Sequence, residues 1–398
     1  MPVLFLIVVI DLIGFGLVIP LLPFYAERFG ASPPQVTMLV AVYSLMSMIA
    51  APLWGRISDR LGRRPVLMVS MAASTLAYLW LGFADALWML FAARALAGIC
   101  AGNISAAQAY VADVTPPEKR ARGMGMIGAA FGLGFIIGPA LGGFVAGGDV
   151  ATADLETPGL MGAALSFIAV MGVIVVLKES LPPGLPPRAR RSRATVLVDA
   201  LRRPVLSRLL VVFFLVIVAF AGMEATFAMW AMRQFGWGPA QTGYIFAYVG
   251  ILSAVMQGGL IGPLARRFGE VQLVLAGLAL IAVGLLILPI AQHLPLVIVA
   301  VSGLALGMGA MQPSLNSLIS RRAEAAEQGE VMGIAQSVGS LSRVIGPIIA
   351  GALFAALGRD IPFLWGALLV SAAFAVALRL PRDRLAVPQA AQPSRAAE

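Results

Sequence analysis

The sequence predicts an all-α integral membrane protein with twelve transmembrane helices in two pseudo-symmetric six-helix halves. Three observations carry that prediction. Hydrophobic residues make up 60% of the chain and charged residues only 12%, with a mean hydropathy of +0.92. A soluble domain carries about a quarter charged residues. Apolar runs of about twenty residues recur almost from end to end, each long enough to cross a hydrocarbon layer of about 30 Å as a helix. Lipid offers the backbone no hydrogen-bond partners, so such runs are helices or closed barrels. Barrel strands alternate over about ten residues, and these runs are continuous. The third observation is a charged hairpin, Gly55 to Pro65, returning in weaker form as Gly262 to Glu270. Charge of that density cannot lie in lipid, so each copy marks where the chain leaves the bilayer and re-enters it.

Taken in order, the first run (2–26) is too long, and too Pro-rich at its far end, for a cleaved signal segment, so it is expected to be retained. Runs 35–57 and 65–84 flank the first charged hairpin, and 87–111 carries an internal Arg94. The Gly-rich run 121–147 and the run 159–178 complete the first half, 1–178. Residues 179–206 form a Pro-rich, basic connector. Within it an amphipathic patch, 194–203, is expected either to lie on the membrane surface or to act as a solvated tether. Runs 207–232, 239–264, 271–290, 294–319, 331–357 and 361–380 build the second half, 207–380. A tail, 381–398, is expected to be disordered.

Charge sets the expected orientation. An even helix count puts both termini on one side, and the loops of that side plus the tail hold most of the 28 Lys and Arg. The opposite loops hold Arg28, Arg233 and Arg359. That skew predicts cytoplasmic termini and accounts for the net charge of +9 without a nucleic-acid partner. No basic helix with interleaved aromatics is present. The single cysteine, Cys100, excludes a disulfide framework. No Ser/His/Asp or metal-ligand constellation and no phosphate-binding Gly-rich loop is found, so neither an enzyme, a cofactor, a metal nor bound ATP is expected.

The halves resemble each other at a steady offset. Phe29-Gly30 matches Phe235-Gly236, Gly62 matches Gly269, and Ile137-Gly138-Pro139 matches Ile345-Gly346-Pro347. Parallel six-helix repeats are a known transporter layout, with substrate held near the midplane between them.

Particular motifs carry a family resemblance. The hairpin Gly55, Asp59, Arg60, Gly62, Arg63, Arg64 resembles the signature loop of the major facilitator superfamily. Gly125, Gly134, Gly138-Pro139 and Gly142-Gly143 resemble the fifth-helix antiporter signature of its drug/proton branch. Asp11 to Pro23 and Arg94-x-x-x-Gly98 resemble its first- and fourth-helix motifs. The resemblance implies a proton-coupled exporter in a bacterial inner membrane, working as a monomer on a small-molecule substrate. The membrane carboxylates that mark tetracycline exporters on the third and ninth helices are missing here, with Ala77 in place of one, and so is their eighth-helix histidine. The resemblance therefore extends to fold and energy coupling rather than to tetracycline itself.

The glycine ridge 125, 134, 138, 142 is expected to let backbones approach closely and Pro139 to bend its helix; close packing alone, or a cavity wall that limits leak, both fit. Asp59 is expected to latch against the start of the eleventh helix near 331 through its dipole, with Arg63 or Arg64 pairing with Asp113. Plain cytoplasmic anchoring is the alternative.

Four charges fall well inside spans: Asp11, Arg94, Glu224 and Arg343. Each costs at least about 2.5 kcal/mol at that depth on insertion scales, which marks a function or a pair. Asp11 and Glu224 are the expected proton carriers, and Arg94 and Arg343, which stay charged, their partners. Structural salt bridges are the alternative. Helical phase nominates cavity residues: Ser105 and Gln108 with Arg94; Met308, Gln312 and Asn316; Gln336 and Ser340 with Arg343; and Phe220, Met223, Phe227 and Trp230 around Glu224. Asn103 falls opposite Arg94 in an unbroken helix and ranks lower. Aromatic and Met side chains beside a carboxylate suit flat amphipathic compounds. A metabolite facilitator or proton symporter of the same fold, and a transport-inactive membrane sensor or assembly protein, are the competing functions.

Overall fold

A computed structural model describes residues 2–116, 120–154, 156–181, 193–323 and 327–381. Eleven helices there are long and apolar enough to span a membrane. They are α1 (Val3–Arg28), α2 (Pro33–Leu61), α3 (Arg63–Gly82), α4 (Leu87–Val114), α5 (Gly123–Ala146), α6 (Glu156–Val176), α7 (Pro204–Phe235), α8 (Pro239–Phe268), α9 (Glu270–Ile290), α10 (Leu294–Arg321) and α11 (Gln328–Leu357). A shorter apolar helix, α12 (Ile361–Ala377), completes the set of twelve. Large apolar side chains such as Leu6, Leu76, Phe144, Val175 and Leu368 stand exposed on its outside, as a lipid-facing surface requires. The tail beyond 381 and the Pro-rich part of the connector, 182–192, lie outside the described residues.

The repeat is structural. In the first half α1 packs on α5 and α6, α3 on α6, and α2 on α4. In the second, α7 packs on α11 and α12, α9 on α12, and α8 on α10. The glycines with positive φ also fall in pairs at matching places: Gly30 and Gly236, Gly62 and Gly269, Gly147 and Gly358. A side chain at such a φ is strained, so the same backbone turn has been kept at the same point of each half.

The first charged hairpin is tighter than the sequence suggests. Helix α2 continues through Gly55 to Leu61 and α3 begins at Arg63, leaving Gly62 (φ 104°) as the whole turn. Gly269 (φ 83°) does the same between α8 and α9.

Helix α4 is interrupted over Cys100–Gly102. Gly98 lets it cross α2 so closely that a Cβ there would lie 2.5 Å from the Tyr43 carbonyl oxygen, and Gly102 lies flat against the Trp54 ring. The Trp54 indole N–H donates to the Ile99 carbonyl (2.5 Å), capping one of the groups the break sets free.

The amphipathic part of the connector forms a helix, Arg193–Arg202. Val196 and Ala200 are buried where it docks on α7 and α11, and Arg203 pairs with Glu327 at 2.7 Å. The helix is therefore held by protein.

The two halves touch along α5–α8 and α2–α11. Call the face carrying the start of α1 and the connector the terminus face, and the opposite one the far face. At the far face the contact is backbone to backbone. A Cβ on Gly143 would sit 2.7 Å from the Pro239 oxygen, one on Gly250 3.0 Å from that of Phe135, and Gly243 abuts the Pro139 oxygen. The Ala240 N–H donates to the Gly147 carbonyl across the seam (3.1 Å). Glu27 pairs with Arg233 at 3.4 Å. These two residues are exactly one repeat offset apart, so their ion pair bridges equivalent positions and lies on the pseudo-twofold axis. Toward the terminus face the glycines of the same helices, Gly125 and Gly128 on α5, Gly258, Gly259 and Gly262 on α8, and Gly329 and Gly333 on α11, meet nothing within 4 Å. The halves close on the far side and part on the terminus side.

Candidate functional site

Asp11 lies where α1 meets α3, α4 and α6. It is 5% exposed. The Asn103 amide donates to one carboxylate oxygen, and the Ser166 hydroxyl lies 3.4 Å from the other and 3.0 Å from the Met71 carbonyl. Arg94 is not its ion partner: among the described residues no ion pair joins them. Asn103 reaches Asp11 because the interruption at Cys100–Gly102 resets the helical phase that an unbroken helix would impose. The glycines at 98 and 102 were the available signal for that break.

Arg94, 3% exposed, lays its guanidinium over the Tyr43 ring at 4.4 Å. Its Nε is sealed with no hydrogen-bond partner. Arg343 comes from the other half. It sits mid-way along α11, yet its side chain is solvent-accessible, as for a residue lining a wide cavity. It lies within electrostatic reach of Glu224 and Tyr43, and forms no ion pair with Glu224 within 4 Å. Glu224 itself is half-buried.

The expected cavity residues separate by exposure. Gln108 and Gln336 are exposed, and Ser105, Phe220, Gln312, Asn316 and Ser340 half-buried. The Ser105 and Ser340 hydroxyls donate to the Gly102 and Gln336 carbonyls of their own helices. Met223, Phe227 and Met308 are buried. Trp230 is fully enclosed, stacked among Phe227, Phe235 and Phe363, and its indole N–H donates to Asp360 at 2.9 Å. The structure brings it to its own half's core rather than to a cavity. An aromatic wall that phase analysis passed over lies in the first half: Phe15 sits 5.3 Å from Tyr43 and 6.1 Å from Phe135.

The fifth-helix glycines serve two partners. A Cβ on Gly134 or Gly138 would press on α1 at 2.6 Å, and Gly142 abuts Leu17 of the same helix. Gly143 faces α8 across the seam. Gly125 is not part of this ridge: nine residues before Gly134, it falls on the opposite side of the helix, in open space.

At the terminus face Arg63 donates to Asp59 (2.6 Å), Asp113 (2.9 Å) and Ser58 (3.1 Å). Arg64 donates to the Ile174 carbonyl at the end of α6; Arg60 is exposed. Sequence motifs did not single out Glu179, which receives the Arg63, Arg64, Ser180 and Leu181 N–H groups (2.9–3.1 Å) and lies against the bare Cα of Gly62. Partial burial pushes its carboxyl up, and these N–H donors outweigh that and hold it below the ordinary 4.5. A depressed value stabilises the fold fully above the ordinary pKa and is lost as pH falls through the folded value. Glu179→Gln is therefore expected to lower the melting temperature at pH 7, with the gap to wild type closing below about pH 4; a melting series across pH checks it.

Twelve helices in two repeats, an inter-half space open on one face and ionisable side chains within it define a membrane transporter of small molecules. The chain belongs to the Major Facilitator Superfamily, whose pattern matches residues 4–347 and again 228–397, and to the drug/proton antiporter branch that its motifs resemble. It is 33% identical to the class C tetracycline resistance protein of Escherichia coli, over 88% of each chain. To multidrug resistance protein 2 of Bacillus subtilis it is 29% identical, over 89% of this chain and 88% of the other. In structure it is similar to the human organic anion transporter MFSD10 (TETRAN), with a TM-score of 0.71, 26% identity and coverage of 94% and 98%. A bacterial homologue of the human lysosomal transporter Spinster, solved inward-facing and occupied, gives a TM-score of 0.80 at 14% identity over 96% of each chain.

Proposed function

We propose that the protein exports small amphipathic compounds from a bacterial cytoplasm in exchange for protons, by alternating access, with both termini in the cytoplasm. The observation that carries this reading is the asymmetry of the inter-half seam. The halves are sealed by backbone contact at the far face and apart at the terminus face, so the ionisable groups between them are reached from one side only. Positive charge in the loops favours the terminus face as cytoplasmic, which makes this an inward-open arrangement. Resistance proteins among the relatives support export as the direction.

Asp11 is the favoured proton carrier and Glu224 the second. Asp11 is held by an amide and a hydroxyl, both able to bond either protonation state. A proton can therefore arrive or leave without breaking an ion pair, and the change in charge alters what α1, α4 and α6 hold in common. The Arg63–Asp59–Asp113 cluster is assigned to the terminus face as a latch that engages the start of α11 when that face closes.

Purified protein in liposomes tests the reading. An imposed pH gradient is expected to drive uphill movement of an amphipathic dye against its own gradient; downhill movement only would identify a facilitator, and binding without movement a sensor. Asp59→Asn is expected to abolish transport at unchanged expression level. Wild-type flux in that variant would remove the latch and leave the cluster as an anchor.

A further inference from the structure

The four ionisable groups of the interior are unequally satisfied. Asp11 has two hydrogen-bond partners. Arg94, at 3% exposure, makes no hydrogen bond or ion pair with the described protein, and its Nε is sealed away. Its one close polar neighbour is the face of Tyr43. Arg343 likewise makes no ion pair or hydrogen bond, and it approaches the same tyrosine from the opposite half. The groups left over between the halves are therefore cations. A buried guanidinium without a counter-ion is costly, and its planar fork is shaped for a carboxylate, sulfonate or phosphate.

We propose that Arg94 and Arg343 form an anion clamp around Tyr43, one arginine from each half, and that the substrates are amphipathic compounds bearing an anionic group. The anion fills the position that no protein carboxylate takes. The apolar body lies along the Phe15–Tyr43–Phe135 wall, whose rings are only half-buried. Tyr43 lies on α2 and Arg343 on α11, helices that meet at the far-face seam where Gly351 packs on Thr37 and Pro34. The clamp is thus at the closed end of a space open to the terminus face. Drawing two arginines of different halves onto one anion also gives the substrate a different grip when the halves rearrange, which is what coupling of binding to conformation requires. This assignment rests on the transporter reading above and names its substrate class.

The test compares 8-anilinonaphthalene-1-sulfonate with N-phenyl-1-naphthylamine, the same aromatic body without the sulfonate. Saturable binding is read by fluorescence on the full chain in nanodiscs, with empty nanodiscs subtracted. The sulfonate is expected to bind at least about tenfold more tightly than the neutral probe, the effect of one charge-assisted contact. Arg94→Gln and Arg343→Gln are each expected to erase that preference and leave the neutral probe unchanged, with Arg94→Lys retaining part of it. Equal affinity of the two probes for the wild-type protein would overturn the clamp, as would an intact preference in either Gln variant. Should Arg94→Gln not fold, the solvent-accessible Arg343 carries the test alone. Liposome flux keeps the two ideas apart. Gradient-driven transport of the neutral probe without a sulfonate preference sinks the clamp and leaves proton exchange standing. A sulfonate preference whose flux ignores the pH gradient does the reverse.

Discussion

Replacing Asp11 by Asn is expected to abolish transport driven by a pH gradient while leaving the protein folded and able to bind substrate. The substitution keeps size and shape, and the new amide can still bond Asn103 and Ser166, so packing of α1 against α3, α4 and α6 survives. What it removes is the ability to take up a proton. If Asp11 carries the coupling proton, uphill flux in liposomes falls by an order of magnitude or more, and exchange of substrate down its own gradient persists. A purely structural Asp11 predicts another pattern, in which melting temperature drops and both fluxes fall together. Glu224→Gln is the companion measurement. Full gradient-driven flux in both variants would move coupling away from these carboxylates altogether.

Gly143→Leu is expected to hold the far face open. A Cβ at this position meets the Pro239 oxygen at 2.7 Å and the Ala240 Cα at 3.1 Å, both on α8 in the other half, and neither can swing aside as a side-chain tip would. Overpacking costs about 1–3 kcal/mol where neighbours can give way, which alone shifts a two-state equilibrium by roughly 5- to 150-fold. The cost is confined to the arrangement in which the far-face seam is shut, so the population moves to the other arrangement and transport stops. Spin labels at Ser32→Cys and His293→Cys, exposed positions in different halves, on a Cys100→Ser background, report the separation. A longer far-face distance is expected in Gly143→Leu, and a wild-type distance in Gly258→Leu, whose surroundings are open. An unchanged distance in the Gly143 variant would show that the seam yields without opening. The same reasoning separates Gly143 from Gly138, where a side chain presses on α1 within the same half and is expected to unfold rather than to switch.

Topology was legible because it is decided locally. A run of apolar residues either is or is not long enough to span, and a turn such as Arg60-Leu61-Gly62-Arg63-Arg64 either can or cannot lie in lipid. The pairing of Arg63 with Asp113 was legible as well, since two charges at adjacent helix ends on one face have few other partners. Trp230 was misplaced for a physical reason: helical phase shows which side chains share a face and is silent on what that face meets. Here it meets Phe363 and Asp360 of its own half. Gly125 was grouped with Gly134 by motif although nine residues set them on opposite sides.

Asn103 marks the boundary most sharply. In an unbroken α4 it points away from Arg94; the three-residue interruption, forced where Gly98 and Gly102 let α4 press against α2, turns it onto Asp11. Composition, the length of each apolar run and the charge of each turn determined by themselves that the chain crosses the membrane twelve times in two copies of one plan, because insertion is settled segment by segment against lipid. Which buried polar groups hold one another, and which arginines are left facing an empty space between the halves, was decided only by tertiary structure. Side chains far apart in the chain find each other through helix crossings, and those depend on glycine contacts between segments rather than on any segment alone.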